Sequence, residues 1–195
     1  MQFGSFREKW ENYWYHYKWQ TWLGIFLVFL VVFTIGDIKS KNVSDFYITY
    51  IGDYMDYEGL SAKISENYAE IIGDENNDGK ITGTVKNIYT NPKVPYDRDL
   101  DFWNRIDIDI VNGESYIYLI DDYILDAFLK RGVNGVIKTN DGYSSYIDIS
   151  EHEFFKEYLP KDRKVYLLVR KNFENPEIEV KKAEDKSILI LEEIF

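Results

Sequence analysis

Residues 115–132 read SYIYLIDDYILDAFLKRG, and the fold class follows from how that stretch divides. Ser115–Ile120 is a short run of aromatic and aliphatic residues, the composition of a buried strand. Two aspartates follow, and either Asp121 or Asp122 is placed to cap a helix. Lys130 and Arg131 complement the dipole at the far end of that helix, and Gly132 stops it.

The same alternation runs outward in both directions. Upstream, DFYITYIGD (Asp45–Asp53) reads as a buried strand stopped by Gly52-Asp53. Leu60, Ile64, Tyr68 and Ile71 then mark one helix face, closed by Gly73. Ile81–Thr90 is strand-like, and Pro92 and Pro95 break the chain after it. Asp99–Val111 supports two readings. Ile106, Ile108 and Ile110 alternate as in a strand, while Leu100, Trp103, Ile106 and Ile110 fit a helix capped by Gly113. Downstream, Ser150 and Glu153 form a capping box for a short helix that ends at Pro160, and Val165–Arg170 is another strand. From Pro176 onward the chain fits either a helix or a pair of strands. Strands alternating with helices predict an α/β fold, a single compact domain (residues 45–195) around a central mixed sheet.

A different solvent governs the N-terminal part. Trp19–Gly36, WQTWLGIFLVFLVVFTIG, contains no charged residue. At roughly 1.5 Å per residue it spans about 27 Å, close to the hydrocarbon thickness of a bilayer. Trp10, Trp14, Trp19 and Trp22, interleaved with Tyr13, Tyr15 and Tyr17, form the aromatic belt of a membrane interface. No small-residue cleavage site follows the run, so an uncleaved transmembrane helix over 19–36 is expected. Residues 1–18 then form a short tail and 37–44 a stalk. Residues 1–36 carry three basic and two acidic groups, so the remainder holds −12 of the chain's net −11. A basic tail and an acidic domain predict a single-pass protein of the cell membrane, with a cytoplasmic N-terminus and an extracellular C-terminal domain.

The acidic balance is the wrong sign for a nucleic-acid binder. The absence of cysteine excludes disulfides, thiolate zinc sites and a catalytic cysteine, and the only histidines are His16 and His152. His152 is expected to be exposed in the first turn of its helix. No phosphate-binding glycine loop or nucleophile elbow is present in the sequence, so no enzymatic activity is expected.

The order of these features, with GESYIYLIDDYILDAFLKRGV at its centre, resembles a group of single-span, mostly uncharacterised proteins of Gram-positive bacteria. Their outer domains are similar to shortened type 2 solute-binding proteins. In that family a helix ends in Gly, a strand follows that ends in paired aspartates, and another helix leaves them. The resemblance favours a helix for Asp99–Val111 and implies an extracellular module that binds a small molecule or an envelope protein.

Two constellations are candidate sites. Asp121 and Asp122 lie at the carboxyl end of a central strand, where α/β sheets bind ligands, with Asp53 and Tyr54 at the end of the first strand as their neighbours. Helix capping is the competing explanation for both aspartates. The second is Asp74-Glu75-Asn76-Asn77-Asp78-Gly79-Lys80, which follows a calcium loop with Asp74, Asn76, Asp78 and the Lys80 carbonyl as ligands. Position twelve is Val85 rather than glutamate, so the remaining ligands are water or outside donors, Asp97 and Asp99 among the candidates. A polar turn is the competing reading. Function therefore divides between a ligand- or partner-binding module and a calcium-stabilised interaction domain without a pocket. An envelope hydrolase, which needs a buried carboxylate pair, comes third.

Overall fold

The computed structural model describes residues 6–40, 43–93, 100–113, 115–139, 142–171 and 178–195. The chain divides into two units, Met1–Val43 and Ser44–Phe195.

The first unit is one helix, α1 (Phe6–Ser40), of 35 residues. Its Phe6–Phe33 portion is long and apolar enough to cross a membrane, and none of it is buried against protein. The helix takes in most of the expected tail and the start of the expected stalk. No proline interrupts it, and Arg7 and Glu11 pair one turn apart at 3.0 Å. The belt rings stack along it, with Trp10 6.0 Å from Tyr13 and Tyr13 5.4 Å from Tyr17.

The second unit begins with β1 (Phe46–Gly52), α2 (Tyr57–Asn67), α3 (Ala69–Ile72) and β2 (Gly83–Tyr89). Then come α4 (Leu100–Asn112), β3 (Ser115–Asp121) and α5 (Asp122–Leu129). The short strands β4 (Ile137–Thr139), β5 (Gly142–Ser144) and β6 (Ile147–Asp148) precede β7 (Val165–Val169) and α6 (Ile178–Ile194). Five strands form a mixed sheet in the order β2-β1-β3-β7-β6, while β4 and β5 pair separately. β1 is parallel to both β2 and β3, and β7 is antiparallel to β3.

Every residue of β3 is buried, which is why its sequence shows no polar alternation. Ile117 and Leu119 face one core with Ile48, Leu60, Ile64 and Ile190, whereas Tyr118 and Ile120 face the other with Phe102, Ile106, Ile124 and Phe128. Helices α2 and α6 thus cover one face of the sheet, and α4 and α5 cover the other. The link from β1 to β2 runs through α2 on the first face, and the link from β2 to β3 runs through α4 on the second. The strand order therefore reverses between β1 and β3, the kind of point at which open α/β sheets bind ligands beside the strands' carboxyl ends.

Two ambiguous stretches are resolved and one expected helix is corrected. Residues 100–112 are helical because Phe102, Ile106 and Ile110 make one buried stripe, while Ile108 is 59% exposed. Gly113, at φ 71°, closes the helix by donating to the Asp109 carbonyl. The last segment is also helical, with Ile190 buried, and Pro176 lies outside the described residues. The expected helix after Ser150 is instead a run of turns. The Ser150 hydroxyl donates to Asp148 and accepts from the Val165 N–H at 3.0 Å, so it closes β6 onto β7 rather than capping a helix. His152 is half-buried, not exposed: its ring lies 4.8 Å from Phe195, and burial pushes its pKa down.

Candidate functional site at the ends of the central strands

Gly52 ends β1, and a Cβ there would sit 2.5 Å from Asp121 Oδ2, so the close approach requires glycine. Asp121 ends β3 with its side chain fully buried. It occupies the N-cap position of α5 but makes no side-chain capping bond, which corrects the capping expectation. Its carboxylate turns back across the sheet end instead. Oδ1 accepts from the Tyr50 hydroxyl at 2.8 Å, and Oδ2 accepts from the Asp53 N–H at 3.2 Å.

Arg163, just before β7, supplies the cation. Its Nη1 lies 3.4 Å from Asp121 Oδ2 and 3.5 Å from Asp53 Oδ2, while Nε and Nη2 grip Asp162 at 3.3 and 3.0 Å. The guanidinium also sits 6.0 Å from the Tyr123 ring, whose hydroxyl donates to the Thr90 carbonyl. The ends of β1, β2, β3 and β7 thereby meet in one polar cluster.

Burial dominates the electrostatics. It raises the Asp121 pKa to about 6, against the lowering influence of Tyr50, the Asp53 N–H and Arg163. Burial first, and then the Asp121 charge, push the Tyr50 and Tyr123 hydroxyls above the ordinary tyrosine range. Hydrogen bonding to Asp162 leads the effects that keep Arg163 firmly protonated.

An open pocket of about 330 Å³ adjoins the cluster, lined by Tyr54, Met55 and Asp56 on one side and by the 157–163 segment on the other. Of the four residues expected from sequence, Asp53 and Asp121 come together on Arg163, and Tyr54 forms a pocket wall with 70% of its surface exposed. Asp122 does not join them. It faces solvent in the first turn of α5, where its charge suits the helix dipole. Sequence reasoning missed Tyr50 and Arg163. Tyr50 read only as one more apolar strand residue, and Arg163 lies 42 positions from the carboxylate it meets.

The calcium-like loop connects α3 to β2. Asp74 accepts from the N–H groups of Asp78 and Gly79, Asn76 accepts from Asp78, and Asp78 accepts from Lys80. Each oxygen so used keeps a second lone pair. Asp45 was not foreseen here: its carboxylate accepts from the N–H groups of Glu75, Asn76 and Thr82 and fixes the base of the loop. Burial pushes its pKa up, but these donors outweigh burial and hold it below the usual range. Glu75 turns away to Lys186 and Lys182 on α6, at 2.9 and 3.3 Å. Val85, at position twelve, is buried on β2 and offers no oxygen from its side chain. Asp97 and Asp99 lie outside the described residues. Among the described residues no three His, Cys, Asp or Glu side chains converge as a metal cluster.

Comparison of the chain with known protein families, curated proteins and solved structures gives no match.

Proposed function

We propose that this chain is a membrane-anchored extracellular binding module that takes a small ligand beside the carboxyl ends of β1 and β3. The observation that carries the reading is the Arg163 guanidinium set against both Asp53 and Asp121 at the strand-order reversal, with a pocket alongside. Sheets with this topology hold ligands at that point because both neighbouring connections leave it open. An exposed apolar helix supports an anchor, and Arg7, Lys9 and Lys18 before the apolar run against Lys39 and Lys41 after it favour the N-terminus inside.

Binding is favoured over hydrolysis by the burial of Asp121. Asp53 and Asp121 are a close carboxylate pair, and the second has a raised proton affinity. Yet the Asp121 side chain is sealed from solvent, so no substrate atom reaches it to exchange a proton. A calcium-stabilised role is compatible with the binding reading, since the Asp74–Lys80 loop stands apart from the residues that line the pocket.

The test uses the full chain in nonionic detergent micelles, melted against panels of sugars, amino acids, amines and organic acids. One class should raise the melting temperature, and Tyr54→Ala should remove that rise. A protein that ignores every class would overturn the binding reading. Protease added to intact cells should remove the domain beyond residue 43 and spare the N-terminal tail, and the reverse pattern would overturn the orientation.

A further inference from the structure

We infer that α1 is an interface with a second copy of this chain, the two helices lying parallel along a seam from Phe6 to Val31. The parallel direction rests on the anchor reading above; the seam itself does not. Phe6, Trp10, Tyr13, Tyr17, Gln20 and Gly24 recur at alternating steps of four and three residues, and Leu27 and Val31 continue the series. That is the repeat of a coiled coil, held for about three and a half heptads along one unbroken helix. The seam rings are aligned with it, Trp10 stacked on Tyr13 and Tyr13 on Tyr17. Glu8, Glu11 and Tyr15 fall on the side turned away.

Lipid does not cover the upper half of this seam. Headgroups add only about 5–8 Å to each side of the hydrocarbon. At about 1.5 Å per residue, Trp10 stands about 14 Å and Phe6 about 20 Å before Trp19, where the uncharged run starts. Both rings are exposed there. The area suffices for a pair of helices. Four seam rings that each give up about 100 Å², with the aliphatic positions below them, bring two helices to roughly 1,000 Å² of shared surface, the size a specific interface must clear.

The polar groups on the seam select a copy of the same chain as the occupant. Gln20 is an exposed amide inside the uncharged run. The same amide of a parallel partner satisfies it, and one polar residue on a seam sets register and strand number. Gly24 has open space where its side chain would be, which lets two backbones approach one turn further along. The Tyr13 and Thr21 hydroxyls bond each other at 2.8 Å, and Thr21 donates to the Tyr17 carbonyl at 2.9 Å, so Tyr13 needs no water when the seam closes. Charge is complementary as well. In parallel register Lys9 meets the face of the partner's Trp14, and no like charges oppose across the seam.

The chain has no cysteine, so single substitutions report the pairing without interference. Full-length Trp10→Cys, Tyr13→Cys, Tyr17→Cys and Gln20→Cys are oxidised in isolated membranes with copper phenanthroline and read on nonreducing gels. Glu8→Cys, Tyr15→Cys and Trp22→Cys serve as far-side controls. Seam positions should give at least about fivefold more linked dimer, because only they bring two sulfurs within reach of a disulfide. In nonionic micelles the wild type should sediment at twice the chain mass. Gln20→Leu should weaken that dimer about tenfold, and Trp10→Ala with Tyr13→Ala should leave single chains. Equal linkage on both sides, or a wild type that sediments as one chain or as a larger assembly, would overturn the interface. A soluble chain that still links along the seam would overturn the anchor and leave the interface standing. A membrane-bound chain without seam-specific linkage would do the reverse.

Discussion

The Tyr50 hydroxyl donates a 2.8 Å hydrogen bond to Asp121 Oδ1 across 71 residues of sequence, and both side chains are fully buried. The bond joins the ends of β1 and β3, the two parallel strands between which the chain reverses its direction of travel. Tyr50→Phe keeps the ring in the core and removes only the donor. A buried carboxylate that loses a donor should cost about 1–3 kcal/mol, read as a lower urea midpoint with an unchanged slope. An unchanged midpoint would mean that water replaces the hydroxyl at no cost.

Asp121 also sets a pH dependence. Its pKa rises from 3.8 to about 6 on folding, so the folded state holds the proton more tightly than the unfolded chain. Its contribution is therefore present below pH 3.8 and is lost as pH climbs through about 6. The magnitude is about 3 kcal/mol. Asp45, Glu75 and Asp148, whose pKa values are lowered, act in the opposite sense and lose stability as the solution is acidified. Comparison with Asp121→Asn isolates the one group. From about pH 4 to about pH 7, the urea-unfolding free energy of the Asp121→Asn variant should gain on that of the wild type by about that amount. A difference that stays flat across this range would refute the buried-acid account.

The elements that were legible in sequence are those in which local pattern and tertiary role agree. Ser115–Ile120 is apolar throughout because both faces of β3 are covered, and Gly73, Gly113 and Gly132 mark helix ends because each adopts a positive φ. Residues 100–112 were ambiguous because Ile106, Ile108 and Ile110 satisfy a strand period, and only the buried stripe through Phe102 excludes it. The candidate site was half legible. Asp53 and Asp121 follow from the rule that strand ends face the crevice. The direction of the Asp121 side chain depends on Tyr50 and Arg163, which reach it only through the fold. Ser150 misled for the same reason, since its hydroxyl serves a strand 15 residues away.

The outer edge of the sheet carries a second dependence on hydroxyl groups. Among the described residues β2 pairs only with β1, and two of its outward N–H groups are covered by serines of α2. The Ser61 hydroxyl accepts from Val85 N–H and that of Ser65 from Gly83 N–H, each at 2.8 Å. Ser61→Ala with Ser65→Ala improves helix propensity yet leaves both strand donors bare. The double variant should lose about 2–4 kcal/mol and associate more readily through the opened edge. Chemical unfolding and light scattering measure the two effects. A variant as stable and as monodisperse as wild type would show that α2 propensity outweighs edge protection.

Calcium at the Asp74–Lys80 loop is the last expectation, and the loop geometry sets its scale. Asp74 and Asp78 already bond the N–H groups of their own turn, and Asp45 secures the loop from β1's side, so little ordering remains for a cation to impose. Two carboxylates in one turn also repel each other until a divalent ion neutralises them. Against this, Val85 stands where a bidentate glutamate would close the site, and the Lys182 and Lys186 ammonium groups lie against Glu75 next door. Affinity should then be weak, on the order of 0.1–1 mM, in the range of extracellular modules. Tenfold excess over that constant stabilises the folded chain by about 1.4 kcal/mol, which a melting curve resolves. Asp74→Ala and Asp78→Ala lower the starting stability as well, so the quantity to compare is the calcium-induced shift within each protein. That shift should vanish in both variants and persist in Asp126→Ala, a change on the exposed side of α5. A wild-type melting temperature indifferent to millimolar calcium would leave Asp74–Lys80 as a self-bonded turn from α3 into β2.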